Sequence, residues 1–99
     1  MGSSAAGAIR ARKYFSQWRR ANPCVVCHEP EEACLSAHHV RPNDKRSAVS
    51  TMVQRGLSVP AIQSELDKCV SLCHNCHALH HNGLIDIEMF LRINDEETI

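Results

Sequence analysis

Apolar side chains recur at steps of three and four residues over 8–21, and this spacing predicts an amphipathic helix. The apolar stripe consists of Ala8, Ala11, Phe15 and Trp18. Asn22-Pro23 ends the helix, because a residue that precedes proline is biased away from the helical conformation. Residues 1–7 are small and polar, so we expect a disordered lead before the helix.

The hydrophobic pattern of the remaining chain predicts two short strands among several short helices. We expect a strand at 33–40, a turn at 41–44, helices at 47–54 and 59–68, a strand at 69–72 and a helix at 77–82. Ser58 is a suitable N-cap for the second of these helices, and Pro60 fits its first turn. Gly83 can end the last helix. The tail at 84–99 fits both a strand and a helix, so its type stays open and we expect only that it caps the core.

Composition indicates a single small domain over 8–99 that needs disulfides or a bound metal to stabilise it. Among its 99 residues the chain has one Trp, one Tyr and two Phe, so its core is short of large side chains. No apolar run has the length of a membrane span, and the first residues lack the apolar stretch of a secretory signal. We therefore expect a cytoplasmic protein with no membrane partner. In that reducing compartment, six Cys and seven His indicate metal ligands before disulfides.

Two Cys-x2-Cys pairs predict a structural zinc site. The pairs are Cys24 with Cys27 and Cys73 with Cys76. Each pair can turn two thiolates toward one point, and two pairs supply the four tetrahedral ligands that zinc prefers. A redox pair or unrelated core cysteines are the alternatives. The isolated Cys34 and Cys69 lie in apolar runs, where we expect them to fill the core.

Histidines are concentrated at two places in the sequence that the predicted zinc site would bring together. His38 and His39 end the first predicted strand, and His77 and His81 lie one helical turn apart after the last cysteine pair. We expect these four imidazoles to converge, although scattered surface histidines are the alternative. Since neighbouring strand residues point to opposite faces, His38 and His39 would divide into a metal ligand and a base. One metal on three side chains with an adjacent base suits phosphodiester hydrolysis.

The arrangement of these motifs resembles the HNH endonucleases of the His-Me finger superfamily, most closely the small zinc-containing bacterial and phage members. The resemblance rests on CVVC at 24–27, AHHVRP at 37–42, KCVSLCHNCH at 68–77 and the following His81, and it covers about 24–83. It implies an α+β fold: a small zinc-stapled ββα-metal domain, here with an N-terminal basic helix and extra short helices between the strands. In a phage-encoded protein the compartment would be the bacterial host cytoplasm.

The resemblance also implies a role for each histidine. His39 would be the general base, and His38, His77 and His81 would bind one catalytic divalent cation, with His80 as the alternative to His81. Imidazole ligands favour Mn²⁺, Ni²⁺, Co²⁺ or Zn²⁺ over Mg²⁺, although Mg²⁺ stays a candidate. The four paired cysteines would hold the structural Zn²⁺. DNA products would carry 5′-phosphate and 3′-hydroxyl ends.

One position departs from the family pattern. Lys68 stands where typical members have the asparagine that orients the general base, and a lysine cannot accept a hydrogen bond from an imidazole. A backbone carbonyl or Asp67 would have to orient His39 instead. A zinc-stapled nucleic-acid-binding or adaptor module without chemistry is therefore the alternative function. A zinc deaminase is disfavoured, because the His-x-Glu partner of its cysteine motif is missing.

Charge distribution indicates DNA as the partner. The net charge is zero, but basic residues concentrate in 1–55 and acidic residues in 56–99. An ordinary solvated surface is the alternative. A phage packaging or recombination complex is a candidate larger assembly, and the sequence does not indicate an oligomeric state. The candidate DNA contacts are Arg10, Lys13, Arg19, Arg20, Arg41, Lys45 and Arg46.

Overall fold

A computed structural model describes residues 5–91 of the chain. They form a small α+β structure with a two-stranded antiparallel sheet and several helices. The main elements are α1 (Ala5–Ala21), β1 (Leu35–His39), α2 (Val49–Gln54), α3 (Val59–Leu66), β2 (Cys69–Cys73) and α4 (His74–His81). Single 3₁₀ turns occupy Glu32–Cys34 and Pro42–Asp44. No helix in 5–91 has both the length and the apolar character that crossing a membrane requires.

The N-terminal helix α1 begins earlier than its apolar stripe predicts. It starts at Ala5, so 5–7 belong to a helix and not to a disordered lead, while 1–4 lie outside the described residues. Small side chains such as alanine favour helix and extend it beyond the stripe. Beyond its last turn, the Asn22 side chain donates to the Trp18 carbonyl at 2.8 Å and satisfies a free acceptor.

One of the two hydrophobic cores lies among α1, α2 and α3. Gly56, with φ of 66°, follows α2 and lets the chain reverse. The Ser58 hydroxyl caps α3 by accepting from the Ala61 amide at 3.3 Å, as the sequence predicts. Half-buried Ala37 and Cys69 from the sheet pack against this core. Its buried members are Ala11, Phe15, Val49, Met52, Val53, Ile62 and Leu66.

The two strands pair antiparallel and divide their side chains between two faces. Ala37 lies opposite Ser71, and His39 lies opposite Cys69. His38 lies opposite Val70, so its side chain leaves β1 on the other face. The first core occupies the face of Ala37 and Cys69.

A second core forms around the cysteine pairs and the start of α4. Its buried members are Cys24, Leu35, Leu72, Cys73, Cys76 and Ile87. β2 leads directly into α4 without a linker, so α4 starts at His74, three residues before its predicted start. A helical segment covers 87–91, and the buried Ile87 packs into this core as expected for a capping tail. Residues 92–99 of that tail lie outside the described residues.

Candidate metal centre and histidine site

The four paired cysteines come together as the spacing predicts. One ligand sulfur from each residue lies within 4.8 Å of the other three, and all six cysteines of the chain are free thiols. Cys27 Sγ and Cys73 Sγ are 3.5 Å apart. Three of the four are buried, and Cys27 is exposed. The cluster joins two stretches of chain that are far apart in sequence.

Backbone hydrogen bonds shape the turn that presents the first pair. The Cys24 amide donates to the Glu29 carbonyl at 3.0 Å, and the His28 amide donates to the Cys24 carbonyl at 2.9 Å. His28 has a φ of 66°, in the left-handed region, which closes this tight turn. The Val25 amide donates to the Ser71 carbonyl at 2.9 Å and fixes the turn against β2.

The second pair spans the junction of β2 and α4. Cys73 ends β2 and is the N-cap of α4, where its sulfur accepts from the Cys76 amide at 3.4 Å. This cap explains why the helix begins at His74 and includes Cys76. His77 follows Cys76 directly, so the thiol cluster fixes the part of α4 that carries the histidines.

The donor set fits a structural metal such as zinc. Tetrahedral zinc with Zn–S bonds of about 2.3 Å places its sulfurs about 3.8 Å apart, close to the spacing of this cluster. Burial opposes ionisation of Cys24, but backbone N–H groups of Cys27 and Cys73 outweigh it and lower the pKa of this thiol to about 7. Burial and the neighbouring thiols raise the pKa of Cys76 far above its usual range. A divalent cation would relieve that crowding by binding the thiolates.

The other two cysteines stay outside this cluster. Cys69 is half-buried against the first core, where burial raises the pKa of its thiol to about 11. Cys34 is half-buried in the 3₁₀ turn before β1 and belongs to neither core.

Histidines from β1 and α4 meet on the face of the sheet opposite the first core. The His38 ring centroid is 5.4 Å from that of His77 and 5.0 Å from that of His80. The Nε2 atoms of His77 and His81 are 3.1 Å apart. His77 thus lies next to both His38 and His81, and His80, the alternative ligand, also contacts His38. We call these four residues the histidine cluster.

The environment of His38 and His77 favours their neutral imidazoles, which is the metal-binding form. Burial, followed by the repulsion of His80 and His77, lowers the pKa of His38 to about 4. Burial and then His81 also lower the pKa of His77. Within 5–91 only the cysteines bring three or more ligand atoms within 4.8 Å of one another. Rotation of at least one imidazole would therefore be needed for three histidines to share a cation.

His39 does not join the histidine cluster. Its side chain leaves β1 on the opposite face, where Nε2 lies 2.7 Å from Glu65 Oε2. Both side chains are buried, with 7% exposure for His39 and 2% for Glu65. The predicted division of His38 and His39 between two faces is thus seen, while the expected convergence of His39 with the other three is not. Strand alternation separates the two neighbours.

Glu65 is the residue that sequence reasoning missed. Its carboxylate accepts from the Arg46 amide at 2.9 Å and from Lys68 Nζ at 3.1 Å, besides its contact with His39. Burial opposes its ionisation, but these partners outweigh burial and lower the pKa of Glu65 to about 2. The available signal was a charged residue on the apolar face of the predicted helix, one turn after Ile62, which requires a buried partner. Asp67, the residue considered for this role, is exposed at the end of α3.

Two of the predicted DNA contacts are engaged within the protein. Arg20 Nε lies 2.7 Å from Glu32 Oε1, and Arg19 Nη2 lies 3.5 Å from Oε2 of the same carboxylate. The Arg19 guanidinium also stacks 4.5 Å above the Phe15 ring. These contacts attach α1 to the 3₁₀ turn before β1. The exposed basic side chains without an ion pair to another described residue include Arg10, Lys13, Arg41, Lys45 and Arg46.

Comparisons with protein-family models, curated proteins and solved structures find no match to this chain. The geometry of the two clusters and of His39 is therefore the basis for proposing a function.

Proposed function

We propose that this protein is a metal-dependent endonuclease of the HNH type that hydrolyses phosphodiester bonds in DNA. The observation that carries the proposal is the packing of His38 on β1 against His77 and His80 on α4. The helix follows β2 directly, and β1 pairs with β2, so the two-stranded sheet and the next helix bring their histidines together. This is the order of elements that the resemblance to HNH endonucleases implies.

His38, His77 and His81 are the residues that would hold the catalytic cation. Two imidazole nitrogens bound to one metal at about 2.1 Å and at right angles lie about 3.0 Å apart. The 3.1 Å between the Nε2 atoms of His77 and His81 agrees with such a pair. When bound, a divalent cation supplies Lewis-acid stabilisation of the phosphate and of the leaving 3′ oxygen.

His39 is the general base in this proposal. It lies next to His38 in sequence, at the end of β1, so a phosphodiester held at the strand end could approach both residues. A cavity of about 210 Å³ opens beside His39 and is also lined by Lys45, which has no ion pair with a described residue. No carboxylate of a described residue lines this cavity, so an anionic phosphate is electrostatically favoured there.

Structural zinc would support the site indirectly. The thiol cluster joins the 24–27 turn to the junction of β2 and α4. His77 is the residue that follows Cys76, the last cysteine of this cluster. Loss of the metal would therefore release the helix that presents His77 and His81. Zinc binding would contribute folding free energy to a domain with two small cores.

Nicking of supercoiled plasmid tests the proposal. Purified protein with Mn²⁺ or Ni²⁺ should convert the plasmid to nicked or linear forms, and end analysis should find 5′-phosphates. His39→Ala and His38→Ala should abolish this activity while the protein stays folded by circular dichroism. His74→Ala is the matched control and should keep wild-type activity. This exposed histidine of α4 forms a hydrogen bond with the Ala33 carbonyl and lies outside the histidine cluster. Equal residual activity in wild type and His39→Ala would refute the nuclease.

A binding module without chemistry is the second candidate. The observation that favours it is the burial of His39 on the face opposite the histidine cluster. In that case the protein would bind DNA through its unpaired cations and would not nick it with any of the four transition metals Mn²⁺, Ni²⁺, Co²⁺ and Zn²⁺. Gel-shift binding together with the plasmid assay separates the two candidates.

A further inference from the structure

His39 and Glu65 form a buried pair that the thiol and histidine clusters do not explain. The pair joins β1 to α3, with 2.7 Å between Nε2 of His39 and Oε2 of Glu65. The same Oε2 accepts from the Arg46 amide at 2.9 Å, and Oε1 accepts from Lys68 Nζ at 3.1 Å. Lys68 Nζ is fixed in turn by the Asp44 carbonyl at 2.9 Å. The carboxylate is therefore held in one orientation from three directions.

This geometry determines which nitrogen of His39 is free. Because its three partners favour the ionised carboxylate, Glu65 accepts and His39 Nε2 carries the proton. No described residue forms a hydrogen bond to His39 Nδ1. Three side-chain atoms in 5–91 are fully buried without a hydrogen-bond partner: Arg19 Nε, Ser71 Oγ and His80 Nδ1. His39 Nδ1 is not one of them. Since it has no partner either, it is accessible to solvent. The lone pair of Nδ1 is thus available for chemistry.

We propose that Glu65 is the positioning residue for His39, holding Nε2–H so that Nδ1 accepts the proton of the attacking water. This inference rests on the nuclease function proposed above. The water gives one proton to Nδ1 while its oxygen forms a bond to phosphorus. The bond from phosphorus to the 3′ oxygen breaks, and that oxygen takes a proton from solvent. Glu65 would thereby supply the orientation that Lys68 cannot supply at the family's asparagine position.

The lysine beside this carboxylate provides the matched control. Lys68→Met removes one donor to Glu65 but leaves the oxygen that faces His39 in place. Glu65→Gln removes the charge, and its amide can donate to Nε2 and reverse the tautomer. Lys45→Ala tests substrate binding instead of orientation of the base. Lys45 is exposed and lines the His39 cavity, where it would bind substrate without orienting His39.

The test combines steady-state plasmid nicking in Mn²⁺ over a range of DNA concentrations with long-range ¹H–¹⁵N spectra of the zinc-loaded full chain at pH 8. The His39 signals are assigned by their loss in His39→Ala. We expect the Nε2–H tautomer in wild type and in Lys68→Met. Glu65→Gln should lower kcat roughly 100-fold with little change in KM. Lys45→Ala should raise KM with kcat within about threefold.

Each contrary result has a distinct meaning. An Nδ1–H tautomer in wild type overturns the positioning role, whether or not the Glu65 variants fold. Nicking by Glu65→Gln at the wild-type rate, or equal loss in Lys68→Met and Glu65→Gln, overturns it while the nuclease stands. Glu65→Asp, which keeps the carboxylate, is measured alongside and should retain the tautomer and part of kcat. A wild-type protein that never nicks overturns the nuclease, and with it any role of Glu65 in that reaction.

Discussion

Nε2 of His77 and Nε2 of His81 lie 3.1 Å apart on consecutive turns of α4. The helix supplies this proximity through its repeat, since side chains four residues apart stand above one another. The thiol cluster fixes the first turn of the same helix, and β1 brings His38 against it from the side. This histidine pair on a short helix is thereby supported at both the start and the flank of the helix.

The first prediction concerns metal binding by this proposed ligand pair. His77→Ala and His81→Ala should each weaken Mn²⁺ or Ni²⁺ binding at least about tenfold, which corresponds to about 1.4 kcal/mol per lost ligand. Titration calorimetry of the zinc-loaded protein measures the affinity. His74→Ala should bind the cation as wild type does. Equal affinity in all three variants, or activity with Mg²⁺ alone, would contradict this ligand set.

The second prediction concerns the thiol cluster. Cys73→Ala should lose about one zinc per chain and unfold, because both a metal ligand and the cap of α4 are removed. Metal analysis by mass spectrometry and circular dichroism measure the two effects. Cys34→Ala is the control, since this half-buried thiol lies outside the cluster and should leave the zinc content unchanged. An unaltered zinc content in Cys73→Ala would rule out the four-cysteine site.

Local signals in the sequence predict most elements and the four cysteines of the thiol cluster, whereas for the histidine cluster they wrongly include His39. The caps and breakers at Ser58 and Gly83 act over a few residues, so they located helix ends well. The predicted start of α4 is three residues too late because Cys73 is its N-cap, and cysteine is not a usual capping residue. The partner of His39 was missed for a different reason. Glu65 is brought to His39 by the packing of α3 on the sheet, and sequence spacing carries no information about that contact.

The third prediction separates structural arginines from DNA contacts. Arg20 is paired with Glu32, whereas Lys45 is exposed and unpaired among the described residues. Each phosphate contact contributes about one unit to the slope of log K against log salt. Lys45→Ala should therefore reduce that slope by about one unit, while Arg20→Ala leaves it unchanged. Fluorescence anisotropy with duplex DNA at several salt concentrations measures the slopes, and an equal reduction in both variants would contradict the distinction.

The fourth prediction is a pH dependence of stability that originates at Glu65. Because the folded-state pKa is lowered to about 2 from 4.5, ionised Glu65 stabilises the fold above about pH 4.5. That contribution is lost as the pH falls toward 2. Glu65→Gln should therefore reduce the free energy of unfolding by about 2 kcal/mol at pH 7, with the amide preserving part of the hydrogen bonding, and by less at pH 3.

Urea unfolding of wild type and variant at pH 7, 5, 4 and 3 measures this difference, and comparing the two proteins at each pH removes the shared effect of acid on zinc binding. Asp67→Asn is the control, because Asp67 is exposed at the end of the same helix and has no ion pair with a described residue. It should show a small penalty that does not change with pH. A Glu65→Gln penalty that grows as the pH falls from 5 to 3 would mean that the buried carboxylate destabilises the fold, and the assignment of Glu65 as an ionised anchor for His39 would be wrong.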